Sequence, residues 1–346
     1  MTVTGPLQDA ATATFTLLSE AELQAWPLLL AQAAGQASGT AVDPCPELTR
    51  RLDIDLKEVV RAGCEPSQAQ IAQLMSNPVG NLILLVNQFD YLQIKGPRTG
   101  GIRDLFIYKL IPTFPLSLGE NWNLINRVAL SVPSVPLKKE AGDFIGLGPS
   151  EVVQQRELFN VLPDPFGRTT GFGDLVYVGL VAPKKSIKTE NGGAFIWGVG
   201  PTFIFPTASA SVLGQGKYQV GPAAVFAYLG QEWILGVFPQ QWWSYAGNDR
   251  RPDTSLMNIQ YFIYRKLPHD IQVGMSPNIT INWKADGGNQ VPLPIGLGAS
   301  FMVKLGKLPA RIGLEAYYSV FHPEDTAGSR WDIRFSFTPV IPTFLF

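Results

Sequence analysis

Histidine is the side chain most often recruited for proton transfer at neutral pH, and hydrolytic nucleophiles usually need one beside them. The chain has two, His269 and His322. His269 follows Pro268 at a tight turn and His322 precedes Pro323 in a loop, so neither has the strand setting beside a serine that an exposed triad requires. Cys45 and Cys64 are the only cysteines, too few for a metal cage, and no metal site is expected. They flank a helix-like stretch, which leaves two readings open: a staple formed in an oxidising compartment, or two free buried thiols. Gly214-Gln215-Gly216 leads into Lys217-Tyr218 and a strand pattern rather than a helix, so it is not a phosphate cradle. Neither catalysis nor a cofactor is expected.

The remaining chemistry is electrostatic. Lys109, Arg127, Asp174, Lys304, Arg311, Glu315, Asp332 and Arg334 alternate with apolar neighbours and so share the polar faces of their strands. Charges turned inward must be wet or paired. One reading makes them a constriction that selects solutes. The other makes them a salt-bridge network filling a narrow interior, since Arg311, Glu315, Asp332 and Arg334 lie on adjacent strands and could pair across them.

The elements that would position these charges follow from composition and periodicity. The 346 residues include 34 glycines and 28 prolines, with 11% aromatic and only 16% charged residues, well below the charged share of a soluble domain. No apolar run reaches the length of a membrane helix, and mean hydropathy is only +0.10. A net charge of -1 without a basic patch excludes nucleic acid as a partner.

Three regions are expected: a flexible or processed leader over 1–40, a helical plug or periplasmic segment over 41–76, and a barrel over 77–346. Arg50 is the first basic residue, so no charged n-region precedes the apolar stretch 26–34, although Ala31-Gln32-Ala33 has the small-x-small pattern of a cleavage site. The spacing of Leu48, Leu52, Leu56, Val59, Val60, Ile71 and Leu74 predicts short amphipathic helices broken near Gly63. Beyond Asn77-Pro78, period-2 alternation predicts strands near 80–94, 104–116, 122–135, 170–182, 194–207, 218–229, 233–247, 256–267, 271–283, 291–305, 310–321 and 330–338. In the ninth, Ile271, Val273, Met275, Ile279, Ile281 and Trp283 oppose Gln272, Gly274, Ser276, Asn278, Thr280 and Asn282. Apolar-out, polar-in alternation over an even strand count is the signature of an all-β transmembrane up-and-down barrel, here of about twelve strands.

Trp233 and Trp243, like Tyr218 and Tyr228, share a face ten residues apart, matching the two aromatic girdles of an apolar band roughly 25 Å tall. Trp283 and Trp331 are further girdle candidates. Short connections near Gly119, Gly230, Pro268 and Gly306 alternate with longer ones, the longest over 136–168, and this parity places both termini in the periplasm. The connection 183–193 is longer than a periplasmic turn should be. Phe346 supplies the terminal aromatic residue expected to contact the barrel-insertion machinery, with Pro339 and Pro342 interrupting the strand before it. Gly200-Pro201, Gly221-Pro222, Pro292 and Pro294 lie within strands, where proline marks a bulge or the break that a lateral opening would need.

From about Asn77 to Pro339 the chain resembles the MetA-pathway-of-phenol-degradation family of bacterial outer-membrane barrels, whose transporter-like members are also labelled neuromedin U. The resemblance rests on Asn77-Pro78-Val79-Gly80-Asn81-Leu82, on Asn121-Trp122-Asn123-Leu124-Ile125-Asn126-Arg127, on Gly171-Phe172-Gly173-Asp174 and on Trp197-Gly198-Val199-Gly200-Pro201-Thr202. It continues through Gly214-Gln215-Gly216-Lys217, Gln241-Trp242-Trp243-Ser244-Tyr245-Ala246-Gly247, Asn282-Trp283-Lys284-Ala285-Asp286 and Trp331-Asp332-Ile333-Arg334-Phe335. It implies an outer-membrane barrel passing small, hydrophobic or aromatic solutes and supplies no catalytic residues. The expected partners are outer-membrane lipid and a small-molecule solute. The alternative is a closed structural barrel whose helical segment binds an envelope partner.

Overall fold

The computed structural model describes residues 45–50, 56–77, 79–80, 82–96, 101–139, 167–285, 291–306, 308–321 and 328–342. The expected leader, His322, Phe346 and most of the 136–168 connection lie outside these residues. Three helices come first: α1 (Cys45–Leu48), α2 (Leu56–Arg61) and α3 (Gln68–Met75). Fifteen strands follow: β1 (Leu82–Gly96), β2 (Gly101–Leu118), β3 (Trp122–Val135), β4 (Thr169–Thr170), β5 (Leu175–Pro183), β6 (Ile187–Lys188), β7 (Ala194–Phe205) and β8 (Lys217–Leu229). The remainder are β9 (Trp233–Gly247), β10 (Ser255–Leu267), β11 (Ile271–Met275), β12 (Asn278–Asn282), β13 (Leu293–Leu305), β14 (Leu308–Phe321) and β15 (Gly328–Pro342).

They form a closed, antiparallel barrel of twelve wall strands, β11 and β12 together making one. The wall strands pair in chain order around the ring, β13 being joined to the ninth wall strand through β11, and β1 pairs with β15 from Leu82↔Pro342 to Lys95↔Gly328 to close it. Turns fit their residues. Gly119 and Gly306 take positive φ (71° and 64°) where tight hairpins demand it, and His269 and Asp270 hold left-handed φ between β10 and β11. The end holding these turns and the strand termini Leu82 and Pro342 is the terminal end; the opposite is the loop end.

Several expectations change. The long connection 183–193 contains β6, which pairs with β7 and folds the excess into a small hairpin. Pro339 does not interrupt the last strand, which runs on to Pro342. Expected strand 271–283 is broken at Ser276-Pro277 into β11 and β12, with its inward and outward phase unchanged across the break.

The outer face is apolar: Phe89, Phe106, Leu116, Phe226, Leu297, Leu314 and Phe335 are each more than 40% exposed. The inner face is split. From β11 onward it carries the polar residues that alternation predicts. Across β3, β5, β7, β8 and β9 it is instead apolar toward the terminal end, where Ile125, Val178, Leu180, Ile196, Val225, Leu229, Ile234 and Phe238 form one buried cluster. Burying each such side chain contributes about 1.5–3 kcal/mol, so this half is a packed core rather than a wet wall.

The helices fill the other half of that end. Val59, Ile71 and Met75 pack with Leu82 and Val340 of the closing strands. This explains why β1 alternates poorly, since its inward leucines face helices instead of water. A capping box starts α3, with the Gln70 amide N–H donating to Ser67 Oγ (3.3 Å) and the Ser67 N–H donating to Gln70 Oε1 (2.9 Å). Gly63, at φ 78°, ends the turn after α2. Cys45 and Cys64 are joined by a disulfide, which ties α1 to the segment after α2.

Candidate functional site: an ionic belt within the barrel

Alternation along β1 turns Gln88 and Asp90 inward, and register brings them beside Lys109 of β2 and Arg334 of β15. Asp90 is the hub. It accepts from Lys109 Nζ at 2.8 Å, Arg334 Nε at 2.9 Å and Gln88 Nε2 at 2.7 Å. The Asp90 and Arg334 side chains are 2% and 5% exposed, so their charges are matched by each other rather than by water.

The belt runs on through Arg334. Its Nη2 lies 3.6 Å from Asp332, its guanidinium stacks over the Tyr317 ring at 5.2 Å, and Nη1 donates to the Ser276 carbonyl at 2.9 Å. Ser276, at the break between β11 and β12, donates its amide N–H to Tyr317 Oη (3.2 Å) and its hydroxyl to Glu315 (3.2 Å). Tyr264 of β10 donates to Glu315 at 2.6 Å. Gly274 and Gly298 lie between Tyr264 and Glu315 in the wall, and a Cβ on Gly298 would meet Glu315 Cγ at 2.5 Å. Their missing side chains let the tyrosine reach across.

The remaining sequence candidates scatter. Arg311 sits lower in the barrel and donates to the Ala72 carbonyl of α3 at 3.1 Å, while Gln272 donates to Ser76 at 3.0 Å, so both pin the helical segment. The expected pairing of Arg311 with a neighbouring carboxylate does not occur among the described residues, because Glu315 is taken by Tyr264 and Ser276. Lys304 is exposed at the β13–β14 rim. Arg127 faces inward over the Phe238 ring at 5.6 Å and makes no ion pair among the described residues. Asp174 lies before β5, outside the wall; it accepts the Gln215 and Ala208 amides at 2.6 and 3.3 Å. Burial raises its carboxyl above the ordinary carboxylate value, those amides and Arg251 opposing. Arg251 in turn caps the Ser211 and Gly214 carbonyls, so this cluster knots the loops at the loop end.

Beside that knot opens a cavity of about 610 Å³, lined by Gln215, Pro252, Asp253, Thr254, Leu256, Asn282 and Lys284. The girdle candidates Trp233, Trp243, Tyr218, Trp283 and Trp331 are 41–49% exposed, and Tyr228 is half-buried. Trp233 and Tyr228 lie toward the terminal end, and Trp243, Tyr218, Trp283 and Trp331 toward the loop end. Trp283 also donates to Gln241 at 2.9 Å.

Asp90, Ser276, Tyr264 and Tyr317 were not among the sequence candidates. The position of Asp90 opposite Phe89 and Tyr91 was the available signal, obscured by the apolar run before it.

Antiparallel closure at twelve strands defines an up-and-down barrel. No family profile and no curated protein sequence matches the chain. Among solved structures, the COG4313 outer membrane channel from Pseudomonas putida F1 aligns with a TM-score of 0.51 at 13% identity, covering 76% of this chain and 96% of that one, which shows a shared fold. Outer membrane phospholipase A from Escherichia coli aligns at 0.41 and 13% identity over 74% and 89% of the two chains. A Pseudomonas aeruginosa FadL homologue aligns at 0.33 and 10% over 75% and 90%.

Proposed function

We propose that this chain is a bacterial outer-membrane channel or transporter for small hydrophobic or aromatic solutes, a relative of the MetA-pathway family, with both termini periplasmic. One observation carries the reading: an apolar outer wall bracketed by exposed aromatic residues encloses a cavity, lined by both polar and apolar side chains, that opens at the loop end. The fold shared with the COG4313 outer membrane channel supports it. Phe346 would serve recognition by the insertion machinery.

The occluded terminal end favours a second reading, a closed barrel, though the helical segment spends its apolar face on Leu82 and Val340 rather than offering it to a partner. Reconstituted full-length protein in planar bilayers separates the two. Stepwise currents, with uptake of phenolic compounds by proteoliposomes above that of empty vesicles, support passage. Persistent electrical silence together with uptake no faster than empty vesicles rejects it.

A further inference from the structure

Apolar side chains on the outer wall of a barrel meet lipid, and on β15, β1 and β2 they stand in two rows with a gap between them. Register sets Phe335, Phe89 and Tyr108 in one row and Ile333, Tyr91 and Phe106 in the next. Rings within a row touch, Phe89 lying 4.8 Å from Tyr108 and Tyr91 5.2 Å from Phe106. Asp90 and Ile107, between the rows, turn inward, so backbone alone floors the gap. The result is an apolar cleft of about 340 Å³ on the outer face. One row further toward the loop end, Gln93 is the partner of both Asp104 and the girdle candidate Trp331. The cleft therefore lies directly beneath the loop-end girdle, at the depth where the acyl chains of the adjoining leaflet begin.

A cation stands at the level of that girdle. Arg168 precedes β4, which pairs with β3. Its guanidinium bridges two wall strands, Nη2 donating to the Asp104 carbonyl at 2.7 Å and Nη1 to the Ser134 carbonyl at 2.6 Å. It lies 5.2 Å over the Phe106 ring, at the edge of the cleft. Those bonds fix the plane of the group without using all five of its N–H donors: Nε–H and one Nη2 N–H are left over, and the residue is exposed. Among the described residues Arg168 makes no ion pair. Asp104 Oδ1 accepts instead from the Tyr91 hydroxyl at 2.7 Å, to which Gln93 also donates at 3.3 Å. A planar, pre-positioned guanidinium with spare donors and no counter-charge matches a phosphate group.

We infer that Arg168 and the aromatic cleft below it form a binding site for the lipid A part of lipopolysaccharide, one phosphate resting on the guanidinium and one acyl chain lying between the two rows of rings. This rests on the outer-membrane reading with the loop end outward, and not on conduction. Charge and depth select the occupant together: an anionic group at the girdle and a hydrocarbon chain beneath it belong to one outer-leaflet lipid. A second copy docked two-fold about the same face would instead bring like charges together at Arg168. The site covers β15, β1 and β2 on the outside, where Asp90 and Arg334 join the first and last strands on the inside. Bound lipid therefore braces the closure of the ring from its outer face.

The test titrates full-length protein in detergent with bisphosphorylated lipid A, with the same lipid stripped of its phosphates, and with phosphatidylglycerol, reading bound lipid by native mass spectrometry. Wild-type protein is expected to prefer the bisphosphorylated form, which should also raise the temperature of its folded-to-unfolded mobility shift on gels. Arg168→Gln is expected to weaken that binding about tenfold, the factor for one charge-assisted hydrogen bond, with Arg168→Lys in between. Val132→Trp, which fills the cleft from β3 and leaves Arg168 in place, is expected to weaken it as well. Lys284→Gln, at the loop-end cavity, is expected to change nothing. The mobility shift also shows that each variant is a folded barrel. Equal affinity of wild type and Arg168→Gln overturns the site, as does phosphatidylglycerol bound as tightly as lipid A. A barrel silent in bilayers that still binds lipid A through Arg168 leaves this inference standing while the passage reading falls.

Discussion

Asp90 and Arg334, separated by 244 positions in the chain, meet at 2.9 Å inside the barrel where the first strand closes on the last. They are direct cross-strand partners, so the register that closes the ring is also the register that pairs the charges. Removing one partner of a buried pair leaves the other uncompensated, at a cost of about 3–5 kcal/mol. Asp90→Asn is therefore expected to lower the temperature of the folded-to-unfolded mobility shift on gels, and Asp90→Glu to recover part of the loss. An Asp90→Asn barrel as heat-stable as wild type would show that the belt adds nothing to closure.

The Cys45–Cys64 bond spans 19 positions, and cross-links closing loops of that size contribute on the order of 3 kcal/mol. The double variant Cys45→Ser/Cys64→Ser should release α1 and α2 from the terminal end while α3 stays pinned by Arg311 and Gln272. Faster protease cleavage within 45–65, with the barrel intact, is the expected result; unchanged cleavage kinetics would place the holding force in the Val59 and Ile71 contacts alone.

How legible this was depended on what each strand faces. From β11 to β15 one side meets the exterior and the other meets polar groups, so period-2 alternation exposed the faces, and the inward placement of Glu315, Asp332 and Arg334 could be read. Where β1 meets the helices both faces are apolar, and the alternation that would have marked Asp90 is lost. Along β5 to β9 the interior is a packed core, so the polar-in rule fails although the strands stand where expected. The break at Ser276-Pro277 was invisible because the inward and outward phase resumes unchanged. Its cause lies in Glu315, Tyr317 and Arg334, distant in sequence.

Asp174 offers a test by pH. Its carboxyl is raised chiefly by burial, so the folded value lies above the unfolded one near 3.8. Stability from such a group is fully present below the unfolded value and is lost as pH rises through the folded one. Protection of the Gln215 amide, which donates to this carboxylate, should therefore fall with rising pH just above 3.8 after correction for intrinsic exchange. Asp174→Asn should flatten that dependence, and an identical slope in both proteins would assign it elsewhere.

Arg127 differs from the other inward cations. Lys109 and Arg334 are ion-paired with Asp90 and Asp332, whereas Arg127 rests on the Phe238 ring, and a cation over a benzene face keeps its charge. An uncompensated positive charge in a narrow passage favours anions over cations. In asymmetric potassium chloride, Arg127→Gln is expected to move the reversal potential of any conducting state toward cation preference, with stability lowered by only about 1 kcal/mol for the lost stacking. Lys304→Gln, altering an exposed rim residue, should leave the reversal potential where it was. Equal shifts in the two variants would mean that distributed surface charge, and not a side chain on the inner wall, sets the preference.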